Sequence, residues 1–158
     1  GEQNIMSAFG NIDKTLRKAL SDLALGYPMV LENQNFNPKG LVGDVWLEVY
    51  QIPVDVVSMM KEASGSDENT GIFQVTVSSK NVNDGPAEVG LIADAIATEF
   101  YHGKTYTSFE AVFIQNTERN RARIDGGFYR VDVSINWSCY VYRGINRAFT
   151  SGFSGGFA

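Results

Sequence analysis

Residues 128–142 read FYRVDVSINWSCYVY, and this run decides how the chain is organised. Tyr129, Val131, Val133, Ile135, Trp137, Cys139 and Val141 are apolar or weakly polar, whereas the even positions from Arg130 to Ser138 are Arg, Asp, Ser, Asn and Ser. A period of two sends the two sets to opposite faces of a β-strand. The β-branched and aromatic content suits a pleated, half-buried surface, and no Pro or Gly interrupts it. At ~3.3 Å per residue the run would reach roughly 45–50 Å, so it is expected to bend or to run past its sheet. It reads as a strand with one dry face, and nothing in it is laid out as a catalytic device.

Upstream, Ile5, Phe9, Ile12, Leu16, Ala19, Leu20 and Leu23 recur at spacings of three and four, which predicts an amphipathic helix. Ser7 or Asn11 is placed to cap its start, and Gly26-Tyr27-Pro28 to stop it. Short strands are expected at Met29–Leu31, at Asp44–Ile52 (ended by Pro53), at Ile72–Ser79 and at Phe109–Ile114. Phe36 is the one large apolar residue in the polar loop Glu32–Gly40 after the first, an anchor for that loop. Ser64–Gly71 reads as an acidic loop, and Gln115–Gly127 as a polar one carrying Arg119, Arg121 and Arg123 on alternate residues. A second helix follows Pro86, with Val89, Ile92, Ala93, Ile96, Ala97 and Phe100 on one stripe. This order predicts an α+β fold, a mostly antiparallel sheet with two helices on one face. The expected organisation is one domain over residues 1–142 and a Gly/Phe/Ser-rich arm over 143–158, in which Phe149, Phe153 and Phe157 recur every four residues.

The 158 residues suffice for one domain with a real core, and a 20% charged, 44% hydrophobic composition is that of a folded chain. No apolar run approaches the ~18–20 residues a membrane span needs, and no signal-peptide pattern opens the sequence, so no membrane association is expected. One cysteine, Cys139, and one histidine, His102, exclude an internal disulfide and leave almost no material for metal or nucleophile–base sites. The expectation is therefore no cofactor, no metal and no enzymatic activity. Charge is uneven. Residues 116–158 hold six arginines against Glu118, Asp125 and Asp132, whereas residues 1–115 hold seven basic against fifteen acidic residues. In a small domain this suits one patch meeting a complementary patch on another copy.

Two other classes compete. Trp46, Tyr50, Tyr140 and Tyr142 on a sheet could stack single-stranded bases, but the net charge of −5 argues against it. Asp44/Glu48 and Asp125/Asp132 are the only carboxylate pairs at a spacing an enzyme would use, and no phosphate loop or nucleophile elbow accompanies them.

Several segments in order carry a resemblance. An N-terminal helix leads to Pro28-Met29-Val30-Leu31-Glu32-Asn33 and Phe36-Asn37-Pro38. Then come Trp46-Leu47-Glu48-Val49-Tyr50-Gln51-Ile52-Pro53 and Gly71-Ile72-Phe73-Gln74-Val75-Thr76-Val77, and Pro86-Ala87-Glu88 opens the helix holding Ala93-Asp94-Ala95-Ile96. Over roughly Ser7 to Tyr142 the chain resembles the phage tail terminator family, which caps the tube of long non-contractile tails. The resemblance implies a virion protein at the head-proximal end of the tail, made in the host cytoplasm. It implies a hexameric ring of copies that stops tube polymerisation and contacts the tube protein and the head-completion or neck proteins. DNA would pass through that ring without being read. A head–tail joining or tube protein is the nearer alternative. Contact residues expected on this reading are Arg119, Arg121, Arg123, Phe36, Phe149, Phe153 and Phe157.

Overall fold

A computed structural model describes residues 2–23, 25–32, 34, 36–58 and 66–142. In chain order these form helix α1 (Glu2–Asp22), strand β1 (Met29–Leu31), a 3-10 turn (Pro38–Gly40), β2 (Val45–Ser58) and β3 (Ser66–Ser79). Helix α2 (Gly85–Glu99), β4 (Thr105–Tyr106), β5 (Val112–Arg119), β6 (Arg123–Asp125) and β7 (Phe128–Tyr142) follow. The strands make one sheet in the order β1-β2-β3-β7-β5-β4, with β6 also on β7. Every pairing is antiparallel except β1 with β2. The fold is α+β, as the alternation predicts.

One face of the sheet is closed by the helices. Ile12, Leu16 and Leu20 of α1 and Val89, Ile92, Ala93 and Ile96 of α2 share one buried cluster with Val112 and Ile114 of β5 and with alternate residues of three longer strands. Those are Val45, Leu47 and Val49 of β2, Phe73, Val75 and Val77 of β3, and Val131, Val133, Ile135, Trp137 and Cys139 of β7. α1 begins at Glu2, upstream of the expected caps at Ser7 and Asn11. α2 carries Pro86 in its first turn and Glu88 beside it, where a fixed φ and a negative charge both favour a helix start.

Three expectations fail for identifiable reasons. Pro53 does not end β2; the strand runs on to Ser58 with a register shift between Pro53 and Asp55, and since odd-numbered amides of β2 such as Leu47 and Gln51 point away from β3, a proline there removes no bond to β3. Residues 66–71 are strand rather than loop, because β3 pairs with β7 from Ser66 opposite Tyr142 to Ser79 opposite Tyr129. Hence β7 does not overrun its sheet: β3 accompanies it along its length. The strand expected from Phe109 starts at Val112, since the Phe109 and Glu110 amides donate to the buried Thr15 hydroxyl of α1 (3.1 Å each) and are lost to a ladder.

Gly71 faces Trp137 across the ladder, and the indole lies over it. A Cβ there would sit 2.4 Å from Trp137 Cζ2 and 2.9 Å from the Ile52 carbonyl oxygen. Backbone and a packed indole cannot both yield, so Gly71→Ala is expected to lower unfolding free energy in urea by ~1–3 kcal/mol. Gly43→Ala, with nothing within 4 Å of its Cβ, should leave it within about 0.5 kcal/mol.

Candidate assembly surface

The second face of the sheet carries the even residues of β2, β3 and β7, and two ion pairs hold it together. Glu48 is the centre of the first. Its Oε2 accepts from Trp46 Nε1 (2.8 Å) and Arg130 Nη1 (2.8 Å), and its Oε1 accepts from the Tyr50 hydroxyl (2.7 Å). The hydrogen bond to this carboxylate, with partial burial, pushes the Tyr50 hydroxyl up to about 12. Asp132 is the centre of the second, accepting from Thr76 Oγ1 and Arg123 Nη1 at 2.7 Å each. Trp46, fully buried, packs against Phe36 (ring centroids 5.6 Å apart) and edge-on against Phe128 (5.3 Å). Phe36 thus anchors its loop as expected. A shallow cavity of about 360 Å³ lies beside these rings, lined by Gln34, Phe36, Tyr50, Phe128 and Arg130.

The far end of this face is apolar. Ile52 is opposite Ile72, which is opposite Asn136; Phe113 is opposite Ser138, and its ring meets that of Tyr140 at 6.3 Å. Ile52, Phe113 and Tyr140 are 44%, 37% and 49% exposed.

The sheet's two sides differ. Along β1, the Gln34 side chain accepts from the Leu31 amide (3.0 Å) and the Gln34 amide donates back to the Leu31 carbonyl (3.3 Å), ending that strand, which covers only Leu47–Val49 of β2. Along residues 118–125, no strand pairs outside β5 and β6 among the described residues, and nearly every position is exposed. This open edge holds the three arginines, but the structure does not present them together. Four steps from Arg119 to Arg123 span only three on β7, from Val133 to Arg130. One extra residue reverses the alternation. Arg119 therefore turns to the helix side, its Nη2 over Gly90 and its Nε 3.4 Å from Asp94. Arg123 turns to the other face and Asp132. Arg121 is exposed and makes no ion pair among the described residues. The expected loop 115–127 is thus mostly strand, closed by a Gly126-Gly127 turn whose φ values of +63° and +83° suit only glycine well. Phe149, Phe153 and Phe157 lie outside the described residues.

The Glu48 centre was half legible in sequence. Trp46, Glu48 and Tyr50 alternate, so they share a face, but the register that brings Arg130 to them comes from β3 lying between. The same geometry bears on the residues of the competing readings. Trp46 is buried and the Tyr50 hydroxyl is tied to Glu48, whereas Tyr140 is exposed and the Tyr142 side chain lies outside the described residues. Glu48 and Asp132 are consumed by ion pairs while Asp44 and Asp125 are exposed. His102 is exposed, with its Nδ1 against the Gln115 carbonyl. Among the described residues no three His, Cys, Asp or Glu side chains group as a metal site would require, and no helix is long and apolar enough to cross a membrane.

A family model for phage tail terminator proteins matches residues 11–137, and the chain belongs to that family; it is a phage tail structural protein. One solved structure superimposes with a TM-score of 0.65 at 20% identity, covering 82% of this chain and 94% of its own, which supports the fold. A chain from the virion of a native gene transfer agent particle matches at TM-score 0.48 and 15% identity, over 85% of this chain and 97% of that one. No curated protein sequence matches.

Glu48→Ala would strand Arg130 and two ring donors on a partly buried face, at an expected cost of ~2–3 kcal/mol in urea unfolding. Alkaline titration provides a second check. Because the folded-state value of Tyr50 lies above the unfolded 10.0, its contribution is complete below pH 10 and is lost as pH rises towards about 12. Stability should fall across that window, and Glu48→Gln should make the fall smaller.

Proposed function

We propose that copies of this chain close into a ring, six by the family's habit, that sits on the last ring of the tail tube. The ring stops tube polymerisation and offers its free side to head-completion or neck proteins at the head-proximal end of the tail. The observation that carries this reading is the family match over residues 11–137, most of the folded part. A ring uses two different patches on each copy, and the chain supplies two: an open, arginine-bearing edge at 118–125 and an acidic remainder. Arg121 is the cation free to reach a neighbour's carboxylate, while Arg119 and Arg123 would have to exchange partners to do so. Phe36 and the shallow cavity beside it form a second contact candidate; Phe149, Phe153 and Phe157 would be a third only where the 143–158 arm reaches a neighbouring copy instead of its own sheet. In this role DNA passes the ring unread, and no cofactor or catalytic group takes part. Assembly takes place in the host cytoplasm, and residues 1–142 act as one domain with 143–158 as an arm.

Light scattering combined with negative-stain images, with and without purified tail tubes, tests the proposal. Rings bound at one end of tubes that no longer grow are expected; unchanged tube growth and no end-bound density would contradict it. Arg121→Glu, which breaks no internal ion pair, should weaken ring closure about tenfold.

A further inference from the structure

The exposed apolar row at the far end of the second face lies where the described chain ends, and we propose that residues 143–158 of the same chain fold back to cover it. This inference goes beyond the ring and stands without it. The row is made by Ile52, Ile72, Phe113 and Tyr140, with Asn136 and Ser138 between them. Exposed aromatic rings beside isoleucines stand out on a sheet face whose centre is built of hydrogen-bonded charged and polar residues. Tyr140 stands two residues before the end of β7, so the outgoing segment starts at the row's edge.

Length, composition and charge all suit this occupant. Phe149 follows Tyr142 by seven residues, up to ~23 Å of chain. The row's far limit, at Asn136, is six residues back along β7, ~20 Å away. The first ring of the segment can therefore reach every position of the row. The segment's large apolar residues are Ile145, Phe149, Phe153 and Phe157, and Gly144 permits a reversal directly after the strand. It carries Arg143 and Arg147 and no acid, while Glu68 stands opposite Tyr140 and the exposed Glu118 stands opposite Ser134. Basic arm and acidic surround are complementary. Being tethered, the arm needs no second molecule to reach its site.

The test uses the full chain with all three phenylalanines of the segment and Cys139, which is buried, left in place. Ser154→Cys is paired with Asn136→Cys in the row. The control pairs Ser154→Cys with Leu91→Cys, 72% exposed on α2 behind the sheet. Under a mild thiol oxidant the row pair should close an intramolecular disulfide at least about tenfold faster than the control, at a rate independent of protein concentration. The triple variant Phe149→Ser, Phe153→Ser, Phe157→Ser should abolish that preference and raise binding of the apolar dye 1-anilinonaphthalene-8-sulfonate. Equal rates for the two pairs, disulfides that join two chains, or dye binding unchanged by the triple variant would each overturn the proposal.

Discussion

The register between β3 and β7 is the constraint on which the remaining structure depends. These strands pair from Ser66 and Tyr142 to Ser79 and Tyr129 without a shift, and β7 is paired on its other side by β5 and β6. A slip of one residue would exchange the faces, exposing Val131, Val133 and Ile135 and burying Arg130, Asp132 and Ser134. The Glu48–Arg130 ion pair and the Thr76–Asp132 hydrogen bond also require this register, since Glu48, Thr76 and Asp132 share a row and Arg130 lies in the next. Apolar burial on one side and charge pairing on the other select the same alignment, which is the consistency that gives a single folded state.

The helices are tied to this frame by a few polar contacts inside an apolar layer. Trp137 Nε1 donates to Gln51 Oε1 (2.7 Å), Gln51 Nε2 donates to Asp13 Oδ1 (3.3 Å), and Asp13 pairs with Arg17 (2.8 Å). Thr15, between Asp13 and Arg17 on α1, holds the segment before β5 through its hydroxyl. On α2, the Tyr27 hydroxyl donates to Glu88, and that bond raises its pKa. Tyr106 donates to Glu99, and burial with that bond raises its pKa. Such buried or half-buried bonds fix where each helix sits, while the apolar cluster supplies the driving force.

Much of this was legible in the chain itself. The alternation in 128–142 and the helical stripes at 5–23 and 89–100 gave the layers, because period alone decides which residues share a face. What could not be read was anything requiring a partner strand. The 66–71 segment has loop composition and becomes strand only because β7 is there to pair with it. The three arginines alternate in sequence as if on one face, and a single extra residue between β5 and β6 sends two of them to opposite sides. For the candidate surface, Phe36 was found as an anchor, whereas the Glu48–Arg130 pair joins residues far apart in the chain and became visible only in the sheet.

The second face and the edge at 118–125 are what this fold leaves for other molecules. Its core is closed, the charged groups at the centre of its second face are paired, and the exposed apolar row and basic edge lie at the margins of the sheet. An image reconstruction of the head–tail junction from particles carrying this protein tests the account most directly. The account predicts density for the chain at the head-proximal end of the tube, in a closed ring, with residues 118–125 buried against the neighbouring copy. Density for it elsewhere in the particle, or a ring in which that edge faces solvent, would contradict it.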